Sequence, residues 1–230
     1  MRLPFLLSVP HAGWKIPPEV EDICILSQKE VQEDGDVGAD EIYSPIKDSV
    51  AAFVTTDIGR AIVDLNRAED DFRKDGIIKT HTCWNVPVYR IEPSQVLIEI
   101  LTKKYYYPYH AQLKSLANKV KLGIDAHTMA AFGPPVGPDP GIERPPVCIS
   151  NAGFTCPQPW IKSLAVSLED SLGLPVSINT PFQGGYIVRS HAAEIPWIQV
   201  EYSRAPFLGH EQKSRALLRA LLEWNNSLFE

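Results

Sequence analysis

His11 follows the apolar run 5–9 and Pro10, and Ala12-Gly13 behind it lets another backbone or a ligand come close. A histidine so placed is a metal ligand or a partly exposed turn residue. His127 ends the run 123–127 and shares a strand face with Asp125, whose carboxylate can orient the imidazole from behind or form a structural pair with it. Glu33-Asp34-Gly35-Asp36 carries three carboxylates in four residues, as a solvated turn or as the anionic member of a ligand set. Two histidines and one carboxylate, with a position left open for water, are the ligands of a hydrolytic zinc site. Glu201 ends the apolar run 197–200. Desolvation there raises a carboxylate's pKa and fits it for general-base work; a surface glutamate at a strand terminus is the rival reading.

Cationic and flexible groups accompany these acids. The stretch from Asp57 to Arg67 holds Arg60, Asn66 and Arg67 just beyond another apolar run. Guanidinium groups grip a carboxylate through a bidentate fork, so this stretch is a carboxylate clamp or a set of surface salt bridges. Gln183-Gly184-Gly185-Tyr186 and Arg189 form a further cluster, in which paired glycines permit a tight turn beside a ligand. His191-Ala192-Ala193-Glu194 has the H-x-x-E spacing of some zinc hydrolases, but it precedes Pro196 and lacks a clean strand end, so it ranks second. His81 and Cys83 supply only two ligands, and His110 and His210 fall on helical stretches and read as structural. No G-x-G-x-x-G, G-x-x-x-x-G-K-[ST] or G-x-S-x-G is present, which removes the main support for dinucleotide, P-loop and serine-hydrolase chemistry.

The elements that must position these residues alternate between two periodicities. Strands are expected at 5–9, 51–56, 123–127, 146–150, 176–178, 186–188 and 197–200. Helices are expected from Ser27, where Ser27 and Glu30 have capping-box spacing, and over 39–50, 93–121, 158–172 and 208–228, with Pro108 interrupting the third of these five. This alternation predicts one α/β domain over residues 1–230 with a largely parallel or mixed sheet. Residues 133–146 hold six prolines and three glycines, a stiff loop beyond a strand end, where α/β folds place ligands. With 22 Lys+Arg against 28 Asp+Glu the net charge is −6, which argues against nucleic acid or an anionic membrane as partner. The four scattered cysteines read as reduced thiols of a cytoplasmic protein. The N-terminal apolar run is too short for a signal peptide, and no stretch reaches the length of a membrane span.

In this order the pieces resemble the N-formylglutamate amidohydrolase family, within the wider zinc-carboxypeptidase-like fold. The likeness is carried by Ser8-Val9-Pro10-His11-Ala12-Gly13, Asp34-Gly35-Asp36 with Ile42-Tyr43, Gly59-Arg60 through Asp64-Leu65-Asn66-Arg67, Asp125-Ala126-His127-Thr128-Met129, Gly184-Gly185-Tyr186 and Glu201. It implies a three-layer α/β/α sandwich and a zinc ion held by His11, His127 and Asp36, with Asp34 as the fallback ligand. It further implies Glu201 as catalytic base, Arg60 at the oxyanion, and Asn66 and Arg67 on a substrate carboxylate, with Gly184, Gly185, Tyr186 and Arg189 also on the substrate side. The expected reaction is hydrolysis of N-formyl-L-glutamate to formate and glutamate. The alternatives are a zinc deacylase for another N-acyl amino acid or small peptide, and a non-catalytic binding protein for an acidic metabolite. The chain departs from the family at Ser150-Asn151, where an aspartate is common, and in the proline-rich loop.

Overall fold

The structure is a computed structural model that describes residues 2–229. Its strands are β1 (Leu3–Val9), β2 (Val50–Thr55), β3 (Leu122–Met129), β4 (Val147–Ser150), β5 (Val176–Ile178) and β6 (Trp197–Ser203). Its helices are α1 (Gln28–Asp34), α2 (Ala39–Tyr43), α3 (Gln95–Leu101), α4 (Tyr107–Ala117), α5 (Gln158–Leu172), α6 (Tyr186–Ser190) and α7 (His210–Phe229). The strands form one six-stranded sheet in the order β2-β1-β3-β6-β4-β5, parallel throughout except where β4 meets β6. This is the mixed, largely parallel sheet that the alternation predicts.

Strand periodicity explains the layers. Leu3, Phe5, Leu7 and Val9 point to one face, where they join buried residues of α2, α5 and α7. Leu6 points to the other, with Val54, Trp197 and the α3–α4 residues Leu101, Tyr109 and Leu113. Trp224 of α7 is fully buried and meets Phe5 at 5.4 Å between ring centroids. Gly123 leaves room on the opposite face for Trp197, because a Cβ there would lie 2.3 Å from the indole. The central strands β1, β3 and β6 are buried on both faces, and because they run parallel their carboxyl ends open onto one edge of the sheet.

Two elements differ from expectation. Residues 186–188, expected as a strand, form the first turn of helix α6; three apolar residues are too few to set a period, and Gly185 before them is extended and starts the turn. The helix expected over 39–50 stops at Tyr43 and tightens into a 3-10 turn, Ser44–Ser49, around Pro45. The long 93–121 helix is interrupted as expected before Pro108, by a π turn (Thr102–Tyr106) that joins α3 to α4, whose first turn tolerates the proline. No helix among the described residues is long and apolar enough to cross a membrane.

Candidate active site

β1, β3 and β6 run parallel, so the residues at their carboxyl ends meet at one edge. His127 and Glu201 are register partners on neighbouring strands, and Ser8 pairs with Asp125 on the other side of β3. His11 follows β1 by two residues. Asp36 is delivered by the turn at Gly35 that ends α1, and its backbone N–H donates to the His11 carbonyl at 3.1 Å, which docks the acidic turn onto the histidine.

The two imidazoles are oriented in the same way. His11 Nε2 lies 2.9 Å from Asp64 Oδ1, and His127 Nε2 lies 2.8 Å from Asp125 Oδ2. Their Nδ1 atoms turn toward a single carboxylate oxygen, Asp36 Oδ2, at 3.6 Å from His11 and 2.8 Å from His127. His11 Nδ1 is buried and has no hydrogen-bond partner. Donor atoms of His11, Asp36 and His127 all lie within 4.8 Å of one another, so these residues could hold a metal ion. The fit is good on this structure's own terms. One nitrogen is an orphan that a metal would satisfy, and each far nitrogen rests on a carboxylate, the support that metal-bound histidines normally have.

Charge is balanced around this group. Burial works against the charged form of Asp36, but His11 and His127 hold its carboxyl well below the usual range. Burial likewise opposes the His127 imidazolium, and Asp125 and Asp36 reverse that and hold it well above the ordinary histidine value. Glu201 is different. Burial raises it to about 7, with His127 and Arg60 pulling down and Asp36 and Asp125 pushing up. Gln199 holds it in place, its Nε2 donating to Glu201 Oε1 at 2.9 Å while its own Oε1 accepts the Gly185 N–H.

His11, Asp36, His127 and Glu201 all line one cavity of about 490 Å³. The proline-rich loop forms part of its wall through Pro134, Val136, Gly137, Pro138 and Arg144. Arg60, Arg67, Gly184 and Gly185 also line it. Arg60 Nε donates to Asp64 Oδ2 at 3.0 Å and its Nη1 stands 3.9 Å from Asp36 Oδ1.

The remaining sequence-predicted residues fall elsewhere or do other work. Asp34 is fully buried and stays out of the metal-capable group: its Oδ2 accepts Lys79 Nζ at 2.9 Å and its Oδ1 the Cys83 N–H at 2.6 Å. Asn66 reaches the cavity wall with both ends of its amide occupied. Nδ2 donates to Asp125 at 3.2 Å, and Oδ1 accepts the Ile187 N–H at 2.8 Å. Tyr186 and Arg189 do not line the cavity. The Tyr186 ring packs against His110 and Tyr106, and Arg189 Nε donates to the Gly184 carbonyl, because helix α6 turns both residues away from the site. His191 stacks on His110 at 5.2 Å and bonds Glu194 at 2.9 Å, a pairing separate from the metal-capable group.

Sequence reasoning assigned no role to Asp64, Gln199 or Arg204. Asp64 lies within a quoted motif, but its partnership with His11 spans fifty-three positions and has no local signal. Gln199 shares a strand face with Glu201, an alternation readable from the sequence.

A two-histidine, one-carboxylate group at the carboxyl edge of an α/β sheet, with a separate glutamate raised toward neutrality, is an arrangement suited to hydrolysis of the metal-assisted class. The family model for N-formylglutamate amidohydrolase matches residues 3–208, and the chain belongs to that family, an enzyme class acting on a linear amide. Among its relatives, N-formylglutamate deformylase of Pseudomonas putida is 24% identical over 261 aligned positions, covering 100% of this chain and 96% of that protein. The N-formylglutamate deformylase of Pseudomonas aeruginosa is 27% identical, covering 96% and 92%. The crystal structure of N-formylglutamate amidohydrolase from Ralstonia eutropha shares the fold, with a TM-score of 0.83 at 16% identity over 99% of this chain and 94% of that one.

Proposed function

We propose that this chain is a zinc-dependent deformylase that hydrolyses N-formyl-L-glutamate to formate and glutamate, working as one catalytic unit in the cytoplasm. The observation that carries the metal is the orphaned, buried His11 Nδ1 facing Asp36 and His127 Nδ1. Asp36 Oδ2 stands 2.8 and 3.6 Å from the two nitrogens and the three donors all lie within 4.8 Å of one another, close enough to share one ion. When bound, zinc would acidify a water and polarise the formyl carbonyl.

The chain's own groups supply the proton chemistry. Glu201, with a pKa near 7, is matched to take a proton from the attacking water and return it to the departing amine nitrogen. Arg60, beside Asp36, meets negative charge on the carbonyl oxygen in this reading. Arg67 offers a cation to a substrate carboxylate. Asn66, with its amide occupied, acts in this reading by holding Asp125 and the start of α6 in register, and the Gly184–Gly185 turn keeps that wall thin. The cavity is of a size that takes a small ligand.

Two measurements on the purified protein test the proposal. Elemental analysis is expected to find about one zinc per chain, and a panel of N-acyl amino acids should be cleaved best at N-formyl-L-glutamate. Undiminished hydrolysis by thoroughly metal-free protein defeats the zinc assignment, and a preference for another acyl group defeats the substrate.

A further inference from the structure

Five arginines line the cavity: Arg60, Arg67, Arg73, Arg144 and Arg204. Four of them already hold a carboxylate of the protein. Arg60 pairs with Asp64, Arg67 with Asp75, Arg73 with Asp71, and Arg144 forks onto both oxygens of Asp139 while its guanidinium lies over the Phe182 ring. Arg204 alone has no ion-pair partner among the described residues, and its buried Nε has no hydrogen-bond acceptor. Its backbone is fixed, with the N–H donating to the Met129 carbonyl at 2.8 Å. The residue therefore sits at the carboxyl ends of β3 and β6, the two strands that carry His127 and Glu201.

An unpaired guanidinium with a buried, unsatisfied N–H is costly unless something in the cavity completes it. Arg204 lines the cavity, so a ligand there can accept from its guanidinium and complete it. A carboxylate does this with two parallel hydrogen bonds. The protein's nearby acids do not supply it. Asp36 faces the two histidines, and Glu201 is engaged by Gln199. Burial lowers the Arg204 pKa only from an already very basic value, and Asp36 and Glu201 support the charge, so the group remains a cation at neutral pH.

We infer that Arg204 is a substrate-binding residue that fixes specificity by forking onto one carboxylate of the acyl amino acid, an inference that rests on the deformylase reading above. N-formylglutamate has two carboxylates, and three substrates separate them: the parent compound, its γ-amide (N-formyl-L-glutamine) and its α-amide. Each is assayed with the full-length wild type, Arg204→Gln and Arg204→Lys. The readout is the ratio of kcat/KM for the parent to that for each amide, which does not depend on how much of a variant folds.

Loss of a charge-assisted pair should lower kcat/KM for the parent by about 10- to 150-fold in Arg204→Gln, mainly through KM. The amide that lacks the carboxylate held by Arg204 should be cleaved by wild type and variant within about threefold of each other, so one ratio collapses and the other persists. Arg204→Lys, which keeps the charge and loses the fork, should fall between. Collapse of the γ-amide ratio assigns Arg204 to the side-chain carboxylate, and collapse of the α-amide ratio assigns it to the α-carboxylate. If both ratios stay at their wild-type values in Arg204→Gln, the inference is overturned while the deformylase reading stands. If the wild type cleaves none of the three, both fall together.

Discussion

Lys79→Met tests why Asp34, two residues from a metal-capable carboxylate, does not join it. Lys79 and Asp34 are both fully buried, with Nζ 2.9 Å from Asp34 Oδ2 and 3.8 Å from Asp64 Oδ2. Methionine matches the length of the lysine stem and opens no large void, so the change chiefly removes the charge. Asp34 would keep its Cys83 amide but lose its ion pair in a water-free setting. Breaking a buried pair from one side costs about 3–5 kcal/mol. At about 2–4 °C per kcal/mol for a chain of this size, Tm should fall by roughly 6–20 °C. Replacing both members, Lys79→Met with Asp34→Leu, should recover most of that loss, because an apolar pair has no stranded charge. The sign of the pH effect follows from Asp34. Burial pushes its carboxyl up, but Lys79 and Arg60 outweigh that and hold it below the usual range. In the wild type the resulting stabilisation is present above the unfolded carboxyl pKa and is lost as pH falls through the folded one. Without Lys79, burial gains the upper hand and the pKa rises, so protonation relieves the variant first. The stability gap between wild type and Lys79→Met should therefore narrow from pH 8 to pH 5. Urea unfolding at both pH values measures it. A gap below about 1 kcal/mol, or one that does not change with pH, contradicts a buried, charge-paired Asp34.

Other substitutions separate the roles around the cavity. Glu201→Gln should keep metal and lose roughly a hundredfold or more in turnover; an unchanged rate by formate release moves the base elsewhere. Asp36→Asn should weaken metal binding in chelator competition, whereas Asp34→Asn should lower Tm and leave metal affinity near wild type, and the reverse pattern would exchange their assignments. Gly185→Ala would put a Cβ 2.3 Å from Asn66 Nδ2 and must displace that amide from Asp125 and Ile187. The expected cost is about 1–3 kcal/mol in denaturant unfolding, together with reduced activity; a variant as stable and active as the wild type shows that the turn has slack.

What could be read from sequence, and what could not, divides by distance along the chain. His11, His127 and Glu201 were legible because each ends an apolar run. In a parallel sheet all such ends share an edge, so three separate local signals imply one place. Asp125 was legible for a related reason, since residues two apart on a strand share a face and a carboxylate beside a histidine can orient it. Asp36 over Asp34 was not decidable locally. Their carboxylates differ only in what lies opposite, Lys79 in one case and two histidines in the other. Tyr186 and Arg189 were placed with the substrate on the strength of the adjacent glycines. A five-residue helix, begun where the Asn66 amide accepts the Ile187 N–H, turns them outward. Arg204 shows the limit most clearly. An arginine one residue past a strand has no motif. What distinguishes it from the four other arginines of the cavity is a partner it lacks, and the absence of a partner becomes visible only when every carboxylate in reach has been placed.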